Sequence, residues 1–237
     1  MTDVDAPRVG AIIVAAGSSQ RMGGLDKVFM PVAGRPLLAW TVSAFEETPL
    51  VSEIVVAVRR QAIQEGRALA QREGWRKVSQ VCRGGVRRQD SVREALWRMT
   101  KCDWVLVHDG ARPCIGPSIL EGVLEAARET GAATLGLPVH DTVKRADSAG
   151  RVVETLDRTG LWLVQTPQAF RYATLWAAHE QAGEEATDDA ALVERLGVPV
   201  VILPGSPQNV KVTVPADLQA VELWLARGKA PPVSGHD

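Results

Sequence analysis

The chain has few cysteines, no excess of either charge and no long apolar run, and each absence excludes a class of protein. Its three cysteines, Cys82, Cys102 and Cys114, are odd in number and lack CxxC spacing, which argues against a disulfide framework and against a zinc site. The 27 basic and 28 acidic residues nearly cancel, so no global field attracts nucleic acid or an anionic membrane. Any anion must therefore be bound by a local cluster of charge.

Apolar runs long enough for a membrane span or a signal peptide are also missing. None approaches the roughly 20 residues that cross a bilayer, and the segment Met1 to Arg8 has no apolar core. We therefore predict a cytoplasmic protein. Hydrophobic residues make up 46% of the 237 positions, which is enough for one core, and we predict a single domain over residues 1–237.

Apolar runs alternate with helical patterns along the chain. An i, i+3, i+4, i+7 pattern between Gln89 and Met99 predicts a helix, and Pro117 and Pro215 suit the first turns of two later helices. Five runs are typical of buried strands: Val9–Ala15, Ile54–Val58, Trp104–Val107, Ala132–Leu137 and Val198–Leu203. Helix-patterned segments alternate with the first four of them. This order predicts βαβ crossovers and an open α/β sheet.

Residues 139–160, which we call the arm, interrupt this alternation. Thr142–Arg145 and Val152–Thr155 are typical of two short strands joined by a turn at residues 147–150. Such a hairpin has too little apolar surface to be stable alone, so we expect it to pack against another surface, such as that of a second subunit. The proline- and glycine-rich residues 229–237 are expected to form a frayed tail.

A small-residue segment, Ala15–Gly23, follows the first predicted strand, at the sheet edge where open α/β folds bind ligands. Its backbone N–H groups could approach phosphate oxygens, and Arg21 and the nearby Lys27 add positive charge. The segment has neither the Lys-Ser/Thr pair of a P-loop nor the GxGxxG spacing of dinucleotide folds. It can also be no more than a turn, and alone it leaves both interpretations open.

A second glycine-rich segment, Gly84–Ser91, runs into the basic start of a predicted helix. Ser91 and Glu94 have the spacing of a capping box, in which the serine would only begin the helix. Ser91 could also contact a base or a ribose, and the two roles are compatible.

Asp109 follows the predicted strand Trp104–Val107, and Arg112 comes three residues later. The aspartate could merely cap a turn. We favour a metal site, because the carboxylate would lie beside the small-residue segment Ala15–Gly23, where a magnesium ion on the phosphates needs an oxygen ligand. His108 points the opposite way along the strand and is expected to be a packed residue rather than a base.

Lys211 lies in Asn209–Thr213, which we predict to be a short strand. A lysine on an edge strand is commonly a solvated residue that prevents edge pairing. The residues alone do not decide between that role and a place in a binding site.

Several short motifs occur in order over almost the whole chain, and each is weak alone. They are AAGSSQRMG (15–23), Lys27, GGVRRQDSV (84–92), HDGARP (108–113), DTVKR (141–145), DRTGLW (157–162), QTPQAF (165–170), TDD (187–189) and NVKVT (209–213). In this ordered set the chain resembles the 2-C-methyl-D-erythritol 4-phosphate cytidylyltransferases of the non-mevalonate isoprenoid pathway.

The resemblance implies a three-layer α/β fold with a mostly parallel open sheet, the Rossmann-like nucleotidyltransferase fold, and a projecting β-arm that clasps the partner in a homodimer. It implies transfer of a cytidylyl group from CTP to a small sugar-alcohol phosphate with magnesium as cofactor. From the balanced charge we expect no nucleic acid or membrane partner. From the 237 residues we expect no fused second enzyme, which some relatives have.

The resemblance also assigns residues to roles. The nucleotide would be bound by Ala15, Ala16, Gly17, Gly85, Ser91 and Asp109. The catalytic residues on the phosphates would be Arg21, Lys27 and Lys211, and the ligand of magnesium would be Asp109. The acceptor would be bound by Asp109, Arg112, Thr142, Arg158, Thr166, Thr187 and Lys211.

The chain departs from the family's pattern without losing a charge that the chemistry needs. Asp26 and Val28 flank Lys27 where members often have proline and glutamine. Gly110 replaces a frequent alanine, and Val86 stands where some relatives have an aspartate near the ribose.

Two other functions stay open. A ribitol phosphate cytidylyltransferase shares the nucleotide motifs, although Asp157–Trp162 resembles the methylerythritol enzymes and not that relative. A non-catalytic nucleotide-binding subunit could have the same fold. Such a subunit could do without Lys27 and Asp109, and the chain has both.

Overall fold

The computed structural model describes residues 7–17 and 26–226. Its strands are β1 Val9–Ala15, β2 Pro31–Val32, β3 Arg35–Pro36, β4 Val51–Val58, β5 Val78–Arg83, β6 Trp104–Asp109, β7 Ala132–Pro138, β8 Val143–Ala146, β9 Val152–Leu156, β10 Trp162–Arg171 and β11 Val201–Pro204. Its α-helices are α1 Leu37–Glu46, α2 Ile63–Glu73, α3 Arg88–Leu96, α4 Pro117–Thr130, α5 Tyr172–Glu180, α6 Asp189–Glu194 and α7 Pro215–Ala226. Within these ranges, no helix has the length and apolarity to cross a membrane.

Seven of the strands form one sheet in the order β11, β7, β10, β6, β1, β4, β5. β10 runs antiparallel to both of its neighbours, β6 and β7, and the other pairs are parallel. The mostly parallel open sheet predicted from the sequence is therefore confirmed.

Helices cover both faces of the sheet. In β1, Ile13 packs in the apolar cluster that contains α1, α2 and α4, whereas Ile12 packs in the cluster that contains α3, α5 and α6. Both side chains are fully buried, as expected for a strand whose alternate side chains point to opposite faces. Burial on both faces explains the continuous apolar run of β1 and gives the three-layer α/β fold.

The predicted hairpin of the arm is present. β8 pairs antiparallel with β9, and Val143 lies opposite Leu156. The chain leaves β7, forms this hairpin and returns as β10 beside β7, which explains why β10 is antiparallel in the sheet.

Of the seven strands of the main sheet, β5 and β10 are missing from the predicted strands. β5 is the edge strand of the sheet, and its first half carries exposed polar residues. β10 has a register shift between Gln165 and Gln168, where Thr166 and Pro167 have no partner on β7. Neither strand therefore shows the continuous apolar run of a central strand.

Two local predictions are wrong. Asn209–Thr213 is not a strand, because its backbone groups bond to loops of the sheet edge, as when Val212 N–H donates to the carbonyl of Ala111 over 2.9 Å. The capping box of Ser91 and Glu94 is not formed, since α3 begins earlier, at Arg88. Asp90 accepts a bond of 3.2 Å from the N–H of Arg87 at that helix start.

Candidate active site

Asp109 ends β6 at the carboxyl edge of the sheet, opposite Val14 of the neighbouring strand β1. Its side chain is only 9% exposed, and three cations surround it. Nε of Arg88 lies 3.2 Å from Oδ1, whereas Nζ of Lys211 and Nε of Arg112 lie 2.9 and 3.5 Å from Oδ2. Burial alone would raise the pKa of Asp109, but these cations outweigh it and hold the pKa well below its usual range. The carboxylate is therefore ionised.

A cavity of about 230 Å³ opens on one side of Asp109. Its lining contains every predicted nucleotide-binding residue and two of the predicted catalytic residues: Ala15, Ala16, Gly17, Gly85, Ser91, Asp109, Lys27 and Lys211. We call it the nucleotide cavity. The third predicted catalytic residue, Arg21, lies outside the described residues.

Two chain segments approach each other closely beside the nucleotide cavity. A Cβ atom on Gly84 would overlap the Cβ atom of Ala16, so only glycine fits there. Ser91 is held by its hydroxyl, which accepts from the N–H of Gly85 over 3.1 Å and donates to the carbonyl of Arg87 over 3.2 Å. Gly84, Ala16 and the two hydrogen bonds of Ser91 thus fix the start of α3 beside the cavity.

Lys27 follows the small-residue segment Ala15–Gly23 in the chain and reaches the sheet edge. Its ammonium donates to the carbonyl of Val212 over 2.6 Å. This bond joins two residues that are 185 positions apart and brings the Lys27 segment next to the segment that contains Lys211 and Val212.

A second cavity of about 230 Å³ lies on the other side of Asp109. Its lining includes Arg112, Thr166 and Thr187, three of the predicted acceptor-binding residues. We call it the acceptor cavity. Arg88, Asp109 and Lys211 line both cavities and form the shared wall between them.

Thr166 and His108 hold the main chain of Asp109. The N–H of Asp109 donates to Oγ1 of Thr166 over 3.0 Å, and this hydroxyl bonds to Nδ1 of His108 over 3.0 Å. Nε2 of His108 lies 3.0 Å from the carbonyl of Arg112, which can only accept, so the bonds assign the proton to Nε2. Complete burial lowers the pKa of His108 to about 4. His108 is a packed, neutral strand residue, as predicted.

Arg88 is the site residue that the sequence analysis missed. It was noted only as part of the basic start of α3, yet it bonds to Asp109 and, over 2.5 Å, to Asp189. Its spacing of three residues from Ser91 on α3 could have revealed it, since such residues share one face of a helix.

Thr142 and Arg158 are exposed in the arm and line neither cavity. Nη1 of Arg158 donates to the carbonyl of His140. The two acidic neighbours of Arg158 have other partners, since Asp157 accepts from the N–H of Thr159 and Glu154 pairs with Arg145. These two predicted acceptor residues are thus not brought to the shared wall of their own chain.

A larger cavity, of about 270 Å³, lies elsewhere, between α1, the start of α4 and α7. Trp40 and Trp224 line it, and it shares no lining residue with the other two cavities. It contains none of the predicted site residues, so the candidate site is at the shared wall.

Among the described residues, no cluster of three or more His, Cys, Asp or Glu side chains could hold a metal ion. Magnesium needs no such cluster, because it usually binds one or two carboxylates together with substrate phosphates and water. The ionised carboxylate of Asp109, placed between two cavities, fits that requirement.

An open α/β sheet with a carboxylate and clustered cations between two cavities is the arrangement that a nucleotidyltransferase needs to bring two phosphates together. The family model of 2-C-methyl-D-erythritol 4-phosphate cytidylyltransferase matches residues 9–227, and the chain belongs to this family. It is therefore an enzyme, a cytidylyltransferase.

Individual relatives agree. The 2-C-methyl-D-erythritol 4-phosphate cytidylyltransferase of Dehalococcoides mccartyi strain CBDB1 is 44% identical over 222 residues, 94% of this chain and 98% of the relative. The crystal structure of the enzyme of that name from Thermus thermophilus has 36% identity and a TM-score of 0.75, covering 91% of this chain and 98% of that one. The 4-diphosphocytidyl-2C-methyl-D-erythritol synthase of Anaerococcus prevotii has 27% identity and a TM-score of 0.82, covering 94% and 98%.

Proposed function

We propose that the enzyme transfers the cytidylyl group of CTP to 2-C-methyl-D-erythritol 4-phosphate and releases pyrophosphate. The observation that carries this proposal is the shared wall. Two cavities of similar volume meet at Arg88, Asp109 and Lys211, so two bound phosphates would meet there. The reaction needs such a meeting point, because it joins two anions.

The nucleotide cavity suits a pyrimidine nucleotide. Ala16 and Gly85 in its lining have little or no side chain, so they would offer the base main-chain contacts, and Ser91 lies in the lining with a fixed hydroxyl. CTP is the donor that we propose, with its phosphates directed toward Lys27 and Lys211.

The acceptor cavity suits a phosphorylated polyol. Nη2 of Arg88 is buried at its lining without a hydrogen-bond partner in the described part of the chain, and Nε of Arg112, also buried, has only the 3.5 Å ion-pair contact to Asp109. Buried guanidinium N–H groups without partners are donors for a phosphate. Thr166 and Thr187 add hydroxyl groups to the lining.

Catalysis would consist of positioning and charge neutralisation. A phosphate oxygen of the acceptor attacks the α-phosphorus of CTP, pyrophosphate leaves in line, and no covalent enzyme intermediate forms. Arg21, Lys27 and Lys211 would neutralise the charge that accumulates on the phosphoryl oxygens. An ionised phosphate needs no strong general base, and the neutral, buried His108 does not line either cavity.

Magnesium would be held by Asp109 together with the phosphates of CTP. When bound, the ion supplies Lewis-acid stabilisation of phosphoryl charge. Asp109 is the carboxylate that the shared wall offers, and its low pKa keeps it charged at neutral pH.

The arm would complete the acceptor site of a partner in a homodimer. Val152, Val153, Leu161 and Leu163 are large apolar side chains of the arm and its junction with β10 that stay exposed in the single chain. Burial of such a surface favours association. Thr142 and Arg158, which line neither cavity of their own chain, would then reach the partner's acceptor cavity.

The cytoplasmic location stays a prediction. Cys82, Cys102 and Cys114 are all free, which agrees with a reducing compartment.

The decisive experiment is an acceptor panel. Purified protein is incubated with CTP, magnesium and either methylerythritol phosphate or ribitol phosphate, and pyrophosphate release is measured. We expect turnover with the first acceptor and little with the second. Faster turnover with ribitol phosphate would reassign the acceptor, and no release with either would support a non-catalytic subunit.

The donor is tested in the same assay. CTP should be preferred, and comparable turnover with ATP or GTP would contradict the proposed nucleotide cavity. The Lys27→Ala protein, purified in parallel, controls for a contaminating transferase.

A further inference from the structure

Asp189 lies behind the shared wall. It begins α6, is completely buried and lines neither cavity. It belongs to the motif at residues 187–189, in which only Thr187 received a role. A buried carboxylate next to a reaction site, without access to either substrate, acts on the site through another residue or only stabilises the fold.

Arg88 connects Asp189 to the site. Its Nη1 lies 2.5 Å from Oδ2 of Asp189, whereas its Nε lies 3.2 Å from Oδ1 of Asp109. The guanidinium is thus held more closely by Asp189 than by Asp109. Its third nitrogen, Nη2, is buried and makes no hydrogen bond to any residue that the structure describes.

Asp189 is itself fixed from behind. Its Oδ1 lies 3.0 Å from Nε2 of His179, and its N–H donates to Oε1 of Gln168 over 3.2 Å. Burial alone would raise the pKa of Asp189, but Arg88 and the bond to His179 hold it below the usual range. The anchor of Arg88 is therefore a charged and oriented carboxylate.

An arginine preferentially binds a carboxylate with two parallel N–H bonds. Arg88 instead binds Asp109 through Nε alone, while its Nη1 is bound to Asp189. We propose that Asp189 is a positioning residue, which holds the fork of Arg88 away from Oδ2 of Asp109. This oxygen, which lies near Lys211 and Arg112, then stays within reach of a divalent cation. This inference rests on the proposed function.

Asp189→Asn tests the proposal, because it keeps the shape and removes the charge. The freed guanidinium should close on both oxygens of Asp109 and compete with magnesium. We expect the magnesium concentration for half-maximal pyrophosphate release to rise by about tenfold or more, the scale of outer-shell changes at metal sites. Calorimetric titration with CTP should show unchanged affinity without magnesium and a weaker gain in affinity with it.

Glu53→Gln is the matched control. Glu53 is also a buried carboxylate with two hydrogen bonds, to Ser79 and Thr100, and it lines neither cavity. It should leave the magnesium requirement unchanged. A folded Asp189→Asn enzyme with the wild-type magnesium requirement would overturn the proposal.

Arg88→Lys carries the test if Asp189→Asn does not fold. A lysine has no fork to bridge Asp109 and Asp189, so the magnesium requirement should rise in Arg88→Lys alone. Where Asp189→Asn does fold, adding it to Arg88→Lys should raise the requirement no further. An unchanged requirement in Arg88→Lys, or equal effects of Asp189→Asn in both backgrounds, would refute coupling through Arg88. If wild-type protein shows no turnover, the proposed function fails, and the calorimetric titrations still decide the role of Asp189.

Discussion

The ammonium of Lys211 lies 2.9 Å from Oδ2 of Asp109 and joins the segment after β11 to the end of β6. Under the proposed function each of the two groups changes partner when substrates bind, Lys211 toward a phosphate and Asp109 toward magnesium. The side chain of Lys211 is 40% exposed and that of Asp109 9%, so we expect the lysine to be the partner that moves. In the absence of substrates, the ion pair therefore holds the ammonium of Lys211 and the carboxylate of Asp109 at the place where the phosphates would meet.

Asp109→Asn should make the enzyme dependent on much higher magnesium. The amide keeps the shape of the side chain but loses the charge that attracts the ion, so we expect a rise of about tenfold or more in the half-saturating concentration. Pyrophosphate release measured against magnesium concentration gives this value. Asp103→Asn, directly before the start of β6, is the control. Within the described part of the chain, the side chain of Asp103 accepts a hydrogen bond only from the N–H of Arg8. Full activity of Asp109→Asn at low magnesium would end the assignment.

Lys27→Ala should reduce turnover far more than it weakens CTP binding. A compact ammonium gains interaction as charge accumulates on the α-phosphoryl group, so kcat should fall by about 10²-fold or more. Steady-state kinetics and calorimetric titration with CTP separate the two effects. Lys77→Ala is a matched control, since Lys77 also donates to a backbone carbonyl, that of Thr48, over 2.7 Å, and lines neither cavity. A rise in KM alone would make Lys27 an ordinary binding residue.

Arg158→Ala should raise the KM for the acceptor and leave the KM for CTP nearly unchanged. The reason is that a guanidinium suits two phosphate oxygens, and Arg158 is proposed to reach only the acceptor. Arg145→Ala, which removes another exposed arm arginine with an ion pair to Glu154, is the control and should behave as wild type. Equal effects of the two changes would show that Arg158 acts only through the stability of the arm.

Mixed dimers test whether Arg158 acts across subunits. Inactive Lys27→Ala chains are refolded together with weakly active Arg158→Ala chains, and mixed dimers are demonstrated by differential tagging. In a shared site, one site of each mixed dimer combines an intact core with an intact arm, so activity should exceed the sum of the parents. Activity equal to that sum means that each chain uses its own Arg158.

The ligand-free protein should lose stability as pH falls from neutrality to about 4. His108 has a pKa of about 4 in the fold against an ordinary value of 6.5. Between these pH values His108 binds a proton in the unfolded chain but not in the folded chain. The free energy of unfolding therefore decreases by roughly 3 kcal/mol for this residue as the pH falls through this range. Urea unfolding at several pH values measures it. His108→Gln should flatten the slope, whereas His140→Gln, at an exposed position, should leave it unchanged.

Central strands and helix starts could be predicted from the sequence because local patterns specify them. Val9–Ala15 has the predicted bounds, and Pro117 and Pro215 begin α4 and α7. β10 could not be predicted, since its polar residues at the register shift face the site, and its pairing with β6 and β7 is set by distant chain segments.

In the candidate site too, residues in local patterns could be predicted, whereas contacts between distant chain segments could not. Asp109 is recognisable because a carboxylate directly after a buried run is unusual, and Lys211 is placed by its motif. Arg88 and Asp189 are 101 residues apart, and only the fold brings them together. The mistaken strand at Asn209–Thr213 has the same cause, because its bonds go to loops that are distant in the chain.

β10 connects the arm to the site, since it begins at Trp162, two residues after the end of the arm, and its Thr166 bonds to the N–H of Asp109. An inserted residue between them would turn the following side chains to the other face of the sheet and remove Thr166 from Asp109. The turn at residues 147–150 lies beyond both strands of the hairpin and carries no such constraint. Changes of chain length during the evolution of this enzyme should therefore accumulate at the tip of the arm and spare the strand that leads from it.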